Sequence, residues 1–243
     1  IDDEGHRRVV TILSEGAKIA LGYLIHCPIE RLFAFNITDE DMSLLSKATE
    51  EYILHHMGGM EEKSGRFMYQ VGLAQRSACN MLWHTLMELQ QGQFDPVDFE
   101  LNIHPEEQAD VEGVVSMRLS TAAGSVQIRG QVDRVDLYRR VDGTVFVRVV
   151  DYKTGTKTFE MSEITAGLGT QMLLYLFVLC DNSRRYLEET GELRPGGVLY
   201  HPLSDLVVDK GGDATERLKK MKMSGILLDD PSVVMAMERD SGK

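Results

Sequence analysis

One ribbon constrains this chain more than any other stretch. It runs from Gly124 to Gly155 and reads GSVQIRGQVDRVDLYRRVDGTVFVRVVDYKTG. Two β-rich runs of alternating type meet at Asp142-Gly143, a reversal signal, so the stretch predicts a β-hairpin. Its register follows from the loop. A two-residue loop at Asp142-Gly143 sets Asp133 opposite Tyr152 and sends Asp151 to the other face. A three-residue loop, Val141-Asp142-Gly143, needs a left-handed third residue, which Gly143 supplies. That loop pairs Asp133 with Asp151, Asp136 with Arg148 and Tyr138 with Phe146, so a carboxylate meets a guanidinium and a ring meets a ring. The three-residue register is preferred.

In that register one face carries Asp133, Val135 and Leu137 against Val145, Val147, Val149, Asp151 and Lys153. Two carboxylates and an ammonium then end an otherwise apolar, buried face. Charge is costly there unless something pairs or chelates it. Two carboxylates converging across a hairpin suit a hard divalent cation such as Mg²⁺ or Mn²⁺. Lys153, two residues past Asp151 on the same face, would reach a metal-activated water or a phosphate oxygen. A salt-bridged strand end, with Lys153 neutralising one aspartate at the sheet rim, is the plainer reading of a lone Asp-x-Lys. The second aspartate in register and the long apolar approach favour a site.

A chain of 243 residues fits one large domain or two small ones, and 43% hydrophobic with 26% charged residues is ordinary for a soluble globular protein. No apolar run approaches a membrane span, and no basic-then-apolar leader opens the chain. The start at Ile1 rather than Met reads as a fragment or a trimmed chain. Cys27, Cys79 and Cys180 are scattered and odd in number, which argues against a disulfide framework or a zinc site and for a reducing cytoplasm. A formal net charge of −12 argues against a broadly basic nucleic-acid surface, so any phosphate binding would have to be local.

Before the ribbon the chain reads as helical, over Glu4 to about Leu32, Thr38 to His56, and Ser64 to about Gln91. Thr38-Asp39-Glu40-Asp41 is an acidic first turn with a good N-cap, and Gly58-Gly59 ends that helix. His26 and Glu30 would share a helix face, although Pro28 between them disturbs a helix interior. Alone, His26 fits a packed or surface histidine better than a ligand. Trp83 and His84 have no readable role. Phe94 to Ile103 reads as a strand containing Glu100, which would lie near the aspartates or at an exposed edge; Arg118 to Ala122 reads as another, leading through Gly124 into the hairpin.

After the ribbon, Met161 to Asp181 is expected as one helix, with Gln171 and Tyr175 four apart on one face. Two polar tips on so apolar a helix fit a side open to a polar site, or two side chains capping neighbouring backbone groups. Gly196 to Leu203 reads as a strand, Arg217 to Met223 as a short basic helix and Asp230 to Arg239 as a last helical segment. Asp209 to Asp213 is the one linker-like stretch, and no internal repeat is visible. The organisation expected is an N-terminal helical part, 1–93, and an α/β core, 94–243, as one structural unit.

Taken together, Gly22-xxx-His26-xxx-Glu30, Gly130-Gln-Val-Asp133-Arg-Val-Asp136, Val150-Asp151-Tyr-Lys153-Thr-Gly155 and Gln171-xxx-Tyr175 resemble one family over essentially the whole chain. It is the RecB/AddB-type nuclease domain of the PD-(D/E)XK, restriction-endonuclease-like superfamily. Each piece is weak alone; the set, in this order and spacing, is specific. The flanking stretches FDPVDFELNI, GVLYHPL and MSGILLDDPSVVMAME are most similar to the AddB type, the partner subunit in bacterial AddAB helicase–nucleases.

The resemblance implies an α/β fold, a restriction-endonuclease-like mixed β-sheet flanked by helices with a helical region in front. It implies Asp133 and Asp151 as carboxylate ligands of Mg²⁺ or Mn²⁺, with the Tyr152 carbonyl and His26 completing the set. Lys153 would be the catalytic lysine, and Gln171 and Tyr175 would support the site and touch the DNA strand. The implied activity is exodeoxyribonuclease cleavage of DNA, single-stranded by expectation, alongside an AddA-type subunit in double-strand-break repair. Two alternatives stay open: a non-catalytic DNA-binding or subunit scaffold, and a stand-alone nuclease of the CRISPR-associated kind.

Two departures from the family matter. The iron–sulfur cluster of many such domains needs one cysteine upstream of the His motif and three near the C-terminus. Neither set is present, and Cys27 follows His26 directly, so no cluster is expected here. No GxxxxGK[ST] P-loop occurs either, so ATP dependence would belong to the rest of an assembly.

Overall fold

The computed structural model describes residues 47, 50, 54, 59, 63–69, 72, 85, 88–89, 91–104, 115–116, 118–121, 124–153, 159–187, 191–202 and 222–238. The expected helix from Glu4 to Leu32 lies outside these residues, and so do His26, Cys27, Glu30, Cys79, Trp83, His84, the 209–213 linker and most of the basic segment from Arg217. By internal contacts the chain divides into two units. One comprises Ile1–Gln90, Thr154–Thr156 and Pro202–Lys222; the other comprises Gln91–Lys153, Lys157–His201 and Met223–Lys243.

In the first unit Lys47, Glu50 and Leu54 are helical, within the span expected from Thr38 to His56, and Gly59 has the left-handed φ of 92° that suits a helix stop. Ser64 opens the next helix. Its Oγ accepts the Phe67 N–H at 3.2 Å and its carbonyl accepts the Met68 N–H at 3.1 Å, and residues 65–69 are helical.

The second unit is built on a six-stranded sheet of β1 (Asp95–His104), β2 (Val115–Ser116), β5 (Gly130–Arg139), β6 (Thr144–Lys153), β7 (Glu192–Pro202) and β8 (Ser224–Leu227). Their order across it is β2-β1-β5-β6-β7-β8. The β1–β5, β5–β6 and β7–β8 pairs are antiparallel and β1–β2 is parallel. Strands β3 (Arg118–Thr121) and β4 (Gly124–Gln127) form a separate two-stranded ribbon. The stretch from Gly124 therefore contributes to two sheets, not one: its exposed first four residues pair backwards with β3, and the central hairpin begins at Gly130.

The loop of that hairpin has three residues. Arg140 N–H donates to the Thr144 carbonyl at 2.9 Å, Gly143 sits at φ 87°, and Asp142 Oδ1 accepts the Thr144 N–H at 3.0 Å. The register is the preferred one, with Asp136 paired to Arg148 and Tyr138 to Phe146, and the two rings stack at 6.1 Å.

Both faces of the sheet are covered. The helix α2 (Gln171–Asp181) packs Met172, Tyr175, Leu176, Val178 and Leu179 into one core cluster with Val135, Leu137, Val145, Val147 and Val149. The helix α3 (Pro231–Met237) places Val233 and Ala236 with Phe94 and Phe146 in another, and Asp230 caps it by accepting the Ser232 N–H at 2.8 Å. This is the expected α/β architecture, a mixed sheet flanked by helices. Side chains of this kind, withdrawn from water on both sides of central strands, contribute about 1.5–3 kcal/mol each.

One expectation is corrected. The single helix over Met161–Asp181 is two, α1 (Met161–Thr165) and α2, because Gly167 and Gly169 adopt φ of 77° and 64° and break the ladder between them. The apolar face of the hairpin is buried as expected, and its other face, which is charged, is just as buried.

Candidate active site

The β5–β6 ladder ends at the pair Arg134–Val150, so the next step places Asp133 across from Asp151. Here a side chain takes over from the backbone: Asp133 Oδ2 accepts the Tyr152 N–H at 2.8 Å. That bond occupies one carboxylate oxygen and leaves Oδ1 for another ligand. On the same strand the Lys153 ammonium forms an ion pair with Asp151 Oδ2, the two side chains being 30% and 16% exposed, so the pair is partly open to solvent. The plain strand-end reading is thus realised for Asp151, while Asp133 is held by a backbone amide instead.

The neighbouring strand is irregular at this level. The pairs Phe99–Arg134 and Leu101–Val132 bracket Glu100 and set it across from Asp133, and Glu100 has φ of 52°, left-handed for a residue that carries a Cβ. Across Asp133 the spacing of core residues on β5 also changes, from two (Leu137, Val135) to three (Val135, Val132). The sheet is bent out of strict alternation where the carboxylates lie. Such backbone costs about 1–3 kcal/mol and persists where its surroundings enforce it.

Behind the carboxylates lies a buried charge network. Arg134 Nε and Nη2 donate to the two oxygens of Asp136 at 2.8 Å each, and Arg148 Nε donates to Asp136 Oδ2 at 2.7 Å. All three residues are at most 1% exposed. The Arg148 guanidinium lies 4.5 Å from the centre of the Phe94 ring, and Arg134 Nη1 donates to the Tyr152 hydroxyl at 3.3 Å. Tyr152 also meets the buried His201 ring at 5.5 Å. The residue between Asp151 and Lys153 is therefore gripped by its amide from Asp133 and by its ring from Arg134. The Asp136–Arg148 pair was legible in the sequence; its complete burial was not.

Gln171 and Tyr175 do share a face of α2. Gln171 Nε2 donates to the Tyr175 hydroxyl at 2.6 Å, so the two side chains bond to each other rather than cap backbone groups. Tyr175 is buried, and its hydroxyl oxygen would lie 2.2 Å from a Cβ at Gly130, the residue that opens the Gly-Gln-Val-Asp133 stretch. Glycine at 130 is what lets this pair sit against β5. Tyr200 of β7 carries no motif and is invisible to sequence reasoning. Its ring lies beneath the Lys153 ammonium, 5.3 Å from Nζ to the ring centre. Burial raises the Tyr200 phenol above its ordinary range; Lys153 opposes this, while Asp151 and Glu163 add to it.

The donor set suits a hard divalent cation: the register puts two carboxylates across from each other on neighbouring strands, and one of them is held in place through a single oxygen. Among the described residues no group of three His, Cys, Asp or Glu side chains gathers closely enough to hold a metal by itself. A cation at Asp133 and Asp151 would draw its remaining ligands from a backbone carbonyl or water; His26 lies outside the described residues.

The family model described as the PD-(D/E)XK nuclease superfamily matches residues 5–236. The chain is similar to the B subunit of the ATP-dependent helicase/deoxyribonuclease of Clostridium acetobutylicum, 27% identical over an alignment of 237 residues that covers 90% of this chain and 20% of that protein. The corresponding protein of Clostridium perfringens is 39% identical over 132 residues, 51% of this chain and 11% of that protein. That of Bacillus anthracis is 36% identical over 152 residues, 60% of this chain and 13% of that protein. The chain thus spans a fifth or less of the length of these relatives.

Proposed function

Since the chain belongs to the PD-(D/E)XK nuclease superfamily, we propose that it hydrolyses DNA phosphodiester bonds with the help of a divalent cation, Mg²⁺ or Mn²⁺. Asp133 and Asp151 are the carboxylates that hold the cation, with the Tyr152 carbonyl and His26 as further ligands. A bound cation supplies Lewis-acid chemistry, lowering the pKa of a water and offsetting charge on the phosphate. Lys153 orients the attacking water and stabilises charge on the phosphate oxygens. Gln171 and Tyr175 brace the β5 wall at Gly130 and present a polar edge to the DNA strand. The observation that carries this reading is the strand end itself, where Asp133 clamps the Tyr152 amide next to the Asp151–Lys153 pair.

The names of the relatives support the setting. We place this chain as the exodeoxyribonuclease part of a helicase–nuclease that works with an AddA-type partner on single-stranded DNA during double-strand-break processing. The net charge of −12 is consistent with a substrate held locally, through Lys153 and the cation, rather than by a broad basic face.

Metal binding tests the reading apart from catalysis. Mn²⁺ titrated into the chain and followed by electron paramagnetic resonance should bind at sub-millimolar to millimolar concentration, and Asp133→Asn or Asp151→Asn should weaken it at least about tenfold. Equal Mn²⁺ binding by wild type and both variants would remove the metal site from these residues. DNA binding without Mn²⁺ binding would instead favour a scaffold.

A further inference from the structure

We infer that Tyr200 is a positioning residue for the proposed hydrolysis, its ring face holding the Lys153 ammonium where the scissile phosphate arrives. This rests on the nuclease reading above. Lysine is a compact charge on a flexible stem, so a catalytic lysine needs a second hold besides its own reach. In this chain Asp151 Oδ2 provides one hold and the Tyr200 ring, 5.3 Å from Nζ, the other. The two differ in what happens when a cation occupies Asp151. A carboxylate shared with a cation attracts the ammonium less; the quadrupole of the ring is unaffected and keeps Lys153 on its face of the sheet.

The ring is built to stay in place. Tyr200 is 6% exposed, its neighbours Val198, Leu199 and His201 on β7 are buried, and its backbone pairs with Ser224 of β8. Phe159 lies tilted against it at 5.9 Å between ring centres. A packed ring of this kind has one orientation to offer, and Lys153 lies over it.

The test separates the electronic character of the ring from its bulk. In the metal-free chain, the ε-CH₂ protons of Lys153 should show an upfield ring-current shift by NMR in wild type and Tyr200→Phe, and lose it in Tyr200→Leu. Replacing Tyr200 with phenylalanines carrying one, two and three fluorines weakens the cation–π attraction stepwise at nearly constant shape. Through that series kcat for DNA cleavage should fall progressively, by roughly threefold to tenfold in all, with KM and Tm unchanged. An unshifted Lys153 in wild type, or a kcat indifferent to fluorination, would overturn the role of Tyr200. Absence of cleavage in every variant and in wild type would overturn the nuclease reading itself.

Discussion

The hydroxyl of Tyr175 occupies the space that a side chain on residue 130 would need. A Cβ there would meet the oxygen at 2.2 Å and the ring carbons at 2.7 and 2.8 Å. One contact thereby ties the α2 pair Gln171–Tyr175 to the strand that carries Asp133 three residues later. The motif glycine and the motif tyrosine are two sides of a single packing constraint.

Gly130→Ala should therefore destabilise the chain by about 1–3 kcal/mol, because Tyr175 is buried and has nowhere to retreat. Urea denaturation monitored by circular dichroism measures this. A midpoint equal to that of wild type would mean that Tyr175 moves freely.

Asp136 is the acid shared by two buried arginines. Asp136→Ala should cost at least about 3 kcal/mol, far more than removal of a surface ion pair, since it breaks a buried ionic network by taking out its centre. Arg140→Ala, which removes the exposed partner of Asp142, should change stability by less than about 1 kcal/mol in the same assay.

Asp133 has a structural task and a proposed chemical one, and two substitutions separate them. Asp133→Asn keeps an oxygen to accept the Tyr152 N–H and removes the charge, so stability should stay within about 1 kcal/mol of wild type while cleavage is lost. Asp133→Ala loses both, and should in addition lower the denaturation midpoint. Full cleavage activity in the Asn variant would dismiss Asp133 as a ligand.

Cys180, half-buried on α2, has its thiol pushed up by burial to about 11 from 9.0. Alkylation of Cys180 at neutral pH, read by peptide mass spectrometry, should be about a hundredfold slower in the folded chain than in the unfolded one. The linkage has a definite sign. Between pH 9 and 11 the folded state keeps a proton that the unfolded state releases, so the associated stability is complete below 9 and declines towards 11. A Cys180→Ser variant should lose that segment of the alkaline decline.

How much was legible in the sequence depends on how far each feature reaches along the chain. The hairpin register was readable because its determinants are local: Gly143 fixes the loop, and Asp136–Arg148 and Tyr138–Phe146 fit only one pairing. The Gln171–Tyr175 bond was readable for the same reason, as a spacing of four on one helix. The buried network was not, because it depends on elements far apart in the chain: Phe94 lies against the Arg148 guanidinium, and Met237 of α3 meets its Nη1. Tyr200 was not, since its place under Lys153 depends on β7 lying next to β6, which no spacing encodes. Strand β8 is too short and glycine-containing to be read from its residues; Gly225 lies against the Val198 carbonyl, where a Cβ would come within 2.0 Å. The break at Gly167 and Gly169 did carry a signal, as two glycines one residue apart are a poor helix interior.

The Asp133–Asp151–Lys153 strand end is proposed above as a cleavage site for DNA. The most direct measurement is Mg²⁺-dependent release of nucleotides from end-labelled single-stranded DNA by wild type, Asp151→Ala and Lys153→Ala, with folding of each verified by circular dichroism. Wild type should cleave only with the cation present, and each folded variant should be slower by at least about a hundredfold. Cleavage by either folded variant at the wild-type rate would show that DNA is not cut at this strand end.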